Sequence, residues 1–152
     1  KLFRRELLET ERFPDVKLHE DEALIYKLLY RSRQVAMVDG ALYLYTANQG
    51  GLMAKRFTPE RMTMLDILDE RLAFYRENGE TGDLIRFTQN RQFMFAAEYY
   101  LHTADNKPFR RKARKKQWAL YWPLMRSSYW LRRKLVYTYA MLLPGHFKKL
   151  YF

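Results

Sequence analysis

The chain has 152 residues, nearly half of them apolar and 16% aromatic, with no cysteine. That length holds one domain of ordinary size, and the composition excludes wholesale disorder, a disulfide framework and thiolate metal sites. The net charge of +11 is unevenly placed: the residues from Lys107 onward hold 13 Lys or Arg and no acid, while the first 106 hold 15 against 17 acids. A near-neutral body therefore carries a basic segment. No apolar run approaches the roughly 20 residues of a membrane-spanning helix, and "LVYTYAMLLPG" is the longest candidate.

The opening "LFRRELLETERF" reads as a strand end or turn running into a short helix, with Leu7 and Leu8 turned inward and Pro14 as the stop. From Asp21 to Arg31 the spacing of Leu24, Ile25, Leu28 and Leu29 predicts a helix. Glu20, Asp21 and Glu22 precede it, where acids suit the positive end of the helix dipole. Two β-prone runs then flank Asp39-Gly40, which predicts a β-hairpin from Gln34 to Tyr45, because a type I′ turn needs positive φ at both centres. "TANQGGLMAKRF" reads as a loop. Thr58-Pro59-Glu60 opens a helix whose inner face is Met62, Leu65, Leu68, Leu72 and Tyr75, and Asn78-Gly79 ends it. A further helix runs from Asp83 to Leu101 with Leu84, Phe87, Met94 and Leu101 as anchors. "TADNKP" leads into the basic segment, which Pro123 and Pro144 divide into short helices. The expected fold class is mainly α with one β-hairpin, in three parts: 1–57, 58–106 and 107–152.

Three pieces stand in order near the start: "KLFRRELL", "FPDVKLHEDEALIYKLLYRS" and "VAMVDGALYLYTANQGGLM". Together, over roughly residues 1–55, they resemble the second half of family-two glycosyltransferases. These are inverting bacterial enzymes that decorate polysaccharides, teichoic acids and lipopolysaccharide. The resemblance implies the C-terminal part of an α/β nucleotide-diphospho-sugar transferase fold, with an N-terminal nucleotide-sugar-binding domain missing from this chain. It implies a cytoplasmic enzyme, or one peripheral at the inner face of the membrane, acting on a glycan or lipid-linked acceptor. In the family pattern the aspartate of an "E-D" pair deprotonates the acceptor hydroxyl, which carries over to Asp21 as general base with Glu20 beside it. His19 would hydrogen-bond acceptor or substrate.

The loop after the hairpin implies donor contacts through Asn48, Gly50 and Gly51, since backbone amides of a glycine-rich loop can approach phosphate. Departures from the family pattern are visible. Thr46 and Asn48 stand where arginines are common, Gly51 where serine is common, and Val16 where a glycine is usual. The family's divalent ion, Mg or Mn, is expected in the full-length enzyme on a D-x-D motif. No D-x-D occurs here, so no metal site or cofactor is expected in this portion, which should be inactive alone.

Without the resemblance, the three acids read as helix-terminal charges worth roughly a few tenths of a kcal/mol each. His102 and His146 read as surface or packing residues, since scattered histidines make no metal site. The basic segment admits three readings. Trp118, Trp122 and Trp130 among lysines and arginines suit an anionic membrane surface. The same charges and rings would serve a nucleic acid, although the absence of any recognised motif weighs against that partner. The third reading is a helical extension packed on the body with its charges solvated. The alternative to the enzyme is a non-enzymatic helical module that binds a membrane surface or nucleic acid through this tail.

Overall fold

The computed structural model describes residues 1–16, 18–44, 46 and 58–151, with 59, 150 and 151 described by backbone alone. Its elements are helices: α1 (Leu7–Thr10), α2 (Glu20–Arg31), α3 (Thr63–Glu77), α4 (Asp83–His102), α5 (Lys107–Arg126), α6 (Leu131–Leu142) and α7 (Pro144–Tyr151). Local chemistry sets several ends. Pro59 opens a 3-10 turn over Pro59–Met62 that runs into α3. Gly79, at φ +80°, closes α3: its N–H donates to the Arg76 carbonyl at 3.0 Å and the Glu80 N–H to the Tyr75 carbonyl at 2.9 Å. This Schellman pairing needs a left-handed residue, which glycine supplies without a Cβ clash. The Asn106 side chain accepts from the Phe109 N–H at 3.2 Å and caps α5.

Helix α4 is the hub. It packs most extensively on α5, and also on α3 and α7. Phe93 and Ala97 of α4 meet Leu120 and Leu124 of α5, Tyr137, Ala140 and Met141 of α6, and Phe147 of α7 in the larger core cluster. Ala96 and Tyr99 turn to a second cluster with Met62, Leu65 and Ala113. Alanine at the crossings lets the helix axes approach closely. Polar side chains of α4 tie it to its neighbours. The Gln92 amide donates to the Leu65 carbonyl at 2.9 Å and to Asp69 at 2.8 Å. Asn90 accepts from the Tyr137 hydroxyl at 2.8 Å. Helix α2 lies on α3, where Tyr26 and Tyr30 set their rings against Phe74 and Tyr75 at centroid distances of 5.3–5.8 Å.

Three expectations are corrected. The β-hairpin of Gln34–Tyr45 does not form: no residue described in 33–44 is in a strand, and Tyr45 lies outside the described residues. Asp39 does not take the positive φ that a type I′ turn requires, and Gly40 sits at φ +132°. A lone two-stranded ribbon buries too little to hold itself, and no other strand is described beside it. Met37 and Leu44 are accordingly 94% and 85% exposed.

The anchors of α4 are shifted. Phe87 is 55% exposed while Phe93 is fully buried, along with Thr88, Gln92, Ala96, Ala97 and Tyr99. A helix packed from several sides has a broad buried arc that small and polar residues share, so picking the largest apolar side chains misplaces it. Pro123 lies inside α5 and does not break it. It stands in the last turns on an exposed flank, and the Ala119 carbonyl it leaves unbonded is at an exposed residue that water can reach. Among residues 33–44 the single backbone hydrogen bond described runs from the Leu42 N–H to the Gly40 carbonyl. Amide hydrogen exchange should therefore find residues 33–44 nearly unprotected while α3, α4 and α5 stay protected; protection of alternate amides in 34–44 would restore the hairpin.

Candidate functional site

The acidic start of α2 lines a groove on the surface. His19 precedes the helix in the left-handed region at φ 67°, the one non-glycine residue described with positive φ. Histidine is among the residues that tolerate this conformation. The turn brings the chain directly into the helix, with the His19 carbonyl accepting from the Ala23 N–H at 3.1 Å. Glu20, Asp21 and Glu22 then fill the first turn.

These acids have different surroundings. Glu22 is bound from two helices. Arg71 Nη2 of α3 donates to its Oε2 at 2.8 Å and to its backbone carbonyl at 2.6 Å. Arg91 of α4 donates to its Oε1. Arg71 also lies 4.6 Å from the Tyr26 ring centroid, a cation–π contact one helical turn along α2. Asp21 is exposed; one of its oxygens accepts from the Glu22 N–H at 2.8 Å, and no side chain among the described residues donates to it. Glu20 is exposed as well.

Between α2, α3 and the start of α4 lies a groove of about 530 Å³. Asp21 and Glu22 stand in its wall with Tyr26, Tyr30, Arg71 and Arg91. Burial pushes the Tyr26 hydroxyl up to about 12, partly opposed by Arg71. It stays protonated at neutral pH and can donate. The groove thus presents a free carboxylate, two guanidinium groups already anchored on a neighbouring acid, and aromatic rings. Lys1 also stands in this wall, which is therefore strongly charged, with Ile25, Leu29 and Leu84 as its aliphatic part.

His19 is held below its ordinary 6.5, first by burial and then by the charge of Arg61, against the opposing pull of Glu22, Asp21 and Glu20. Its Nε2 is buried without a hydrogen-bond partner among the described residues. It is therefore neutral at pH 7.

Of the residues singled out from the sequence, His19, Glu20 and Asp21 come together at one helix start, and Asp21 reaches the groove. Asn48, Gly50 and Gly51 lie outside the described residues. No group of three or more His, Asp or Glu side chains that could hold a metal ion occurs among the described residues, so the divalent ion of the resembled family has no ligand set there. Sequence reasoning missed Arg71, Arg91, Tyr26 and Tyr30. The tyrosines had a signal, standing four and eight residues after Glu22 on one helical face. The arginines had none, since they reach Glu22 from 49 and 69 residues away. Compared with protein-family models, curated proteins and solved structures, the chain matches none of them.

Two outcomes follow from this geometry. Glu22→Gln should cost about 2–3 kcal/mol in chemical denaturation, because it removes charge-assisted bonds to two arginines. Asp21→Asn should cost under about 1 kcal/mol, the scale of an exposed charge at a helix start. The His19 sign is equally definite. A buried, neutral histidine binds its proton later than the unfolded chain does, so its stability contribution is complete above pH 6.5 and is lost as pH falls toward its lowered folded value. His19→Asn, which also tolerates positive φ, should flatten the slope of stability against pH just below 6.5. An unchanged slope would show that another group carries it.

Proposed function

We propose that this chain supplies the acceptor side of an inverting glycosyltransferase, with Asp21 as general base. One observation carries the reading: Asp21 faces a groove with a carboxylate that no side chain among the described residues engages, while the adjoining Glu22 is occupied by Arg71 and Arg91. The residue order of "KLFRRELL", "FPDVKLHEDEALIYKLLYRS" and "VAMVDGALYLYTANQGGLM" supports it independently.

The chemistry is direct. A sugar hydroxyl is a poor nucleophile until a positioned carboxylate takes its proton in the transition state. The acceptor hydroxyl seats against Asp21, its oxygen attacks the anomeric carbon, and the nucleoside diphosphate departs from the opposite face. One in-line displacement inverts the configuration, and the proton ends on Asp21. Arg71 and Arg91 hold the first turn of α2 in place, which fixes the base relative to the groove. The reading requires, in addition to these residues, an N-terminal half that binds the nucleotide-sugar and holds its Mg or Mn ion. The acceptor is a glycan or a lipid-linked glycan.

In the protein that carries both halves, Asp21→Asn should lower turnover of nucleotide-sugar into acceptor product by roughly 100- to 10,000-fold, the usual range for removing a general base. The variant's unfolding midpoint should stay close to that of the parent. Undiminished transfer would remove the assignment of the base.

A further inference from the structure

We propose that the outward face of α5 and α6 docks on an anionic bilayer. Helix α5 uses its sides differently. Ala113, Leu120 and Leu124 turn into the core clusters. On the flank beside α3, Lys112 meets Asp66 at 2.9 Å and Lys116 meets Asp69 at 2.5 Å. On the flank beside α6, the Tyr121 and Thr138 hydroxyls share a hydrogen bond of 3.0 Å. The remaining side carries Arg111, Lys115, Trp118 and Trp122, all exposed and recurring at helical spacing.

Helix α6 extends that surface. Tyr137, Ala140 and Met141 face inward. Leu135 and Leu142 lie three residues before and four after Thr138, and Leu131 one turn earlier, so the three leucines follow the edge that meets α5. Trp118, Trp122 and Leu142 are 52%, 58% and 72% exposed. Tyr121 stands between the two tryptophans, with ring centroids at 6.1 Å and 5.3 Å. The apolar strip therefore runs from the tryptophans across the Tyr121–Thr138 bond to the leucines.

Charge identifies the occupant. The cations facing α3 have carboxylate partners, whereas Arg111, Lys115, Arg126 and Arg132 are exposed and have none among the described residues. Residues 107–152 contain no acid that could supply one. Tryptophans beside cations match the headgroup layer of an anionic membrane, and exposed leucines match the acyl boundary beneath it. A nucleic acid would use the cations and rings but leave the leucines without a role. No helix among the described residues is long and apolar enough to cross a membrane, so the surface lies on the bilayer.

The test is co-sedimentation of the full chain with phosphatidylcholine vesicles and with vesicles that also contain phosphatidylglycerol, at low and high salt. Partition onto the anionic vesicles should be at least roughly tenfold stronger, and salt should weaken it. Trp118→Ser combined with Trp122→Ser should lower it by roughly tenfold, with the helical circular dichroism retained because both sites are exposed. Arg111→Glu with Lys115→Glu should remove most of the preference for phosphatidylglycerol. Equal partition onto both vesicle types, or partition unchanged in the tryptophan variant, would overturn the proposal. So would displacement from vesicles by a single-stranded oligonucleotide at matched phosphate, which assigns the face to nucleic acid. A dimer in sedimentation equilibrium that the tryptophan variant abolishes assigns the face to a second copy and overturns it too. Sugar transfer is not measured in this assay, so either outcome leaves the catalytic reading to its own test.

Discussion

A single carboxylate, that of Glu22, joins three helices. Arg71 brings α3 to it and Arg91 brings α4, and Arg71 also covers the Tyr26 ring beside it. The arrangement is partly sheltered: the Arg71 side chain is only 11% exposed. A charge in that position needs a partner, and a guanidinium with several donors can satisfy the side-chain oxygen and the backbone carbonyl together. The position of α2 over α3, and so the shape of the groove, depends on this junction together with the packing of Tyr26 and Tyr30 on Phe74 and Tyr75.

That junction explains why a basic protein places three acids in a row. Each would gain the same small benefit from the helix dipole, and that benefit alone would not require three. Glu22 is consumed in holding helices together. Asp21 is left facing the groove, and Glu20 faces water. Successive helical residues point about 100° apart, so these neighbours face different sides. A structural acid next to a chemically free one gives a rigid mount for a reacting group, which is what a base needs if its geometry is to persist when substrate arrives.

The basic segment obeys a similar division. Its cations are paired where α5 meets the acids of α3 and bare on the opposite side, where tryptophans and leucines also emerge. Part of the charge excess, Arg111, Lys115, Arg126 and Arg132, therefore stands exposed without a carboxylate partner among the described residues. The groove lies between α2, α3 and the start of α4, and the outward surface is built from α5 and α6. The two share no residue, so each can be altered without touching the other.

Much of the helical framework was legible in the sequence. The stripe Met62, Leu65, Leu68, Leu72 and Tyr75 is buried as its spacing predicts, and Gly79 ends α3. Helices α2 and α4 begin and end within a residue of their expected limits. These features are local: periodicity, a cap, a residue that accepts positive φ. The Asp39-Gly40 signal was local too, yet it misled, because a hairpin is held by what it packs against and turn chemistry alone does not hold it.

The candidate site was half legible. Its acids and histidine are adjacent in the chain and mark one helix start. The arginines that sort those acids come from 49 and 69 residues away, and periodicity carries no information across such distances. The sequence by itself thus determined where helices run and where charge accumulates, since both follow from neighbours within a few turns. Only the tertiary structure decided which acid is bound, which is free and which side of α5 faces outward, because those outcomes depend on which helices lie against each flank.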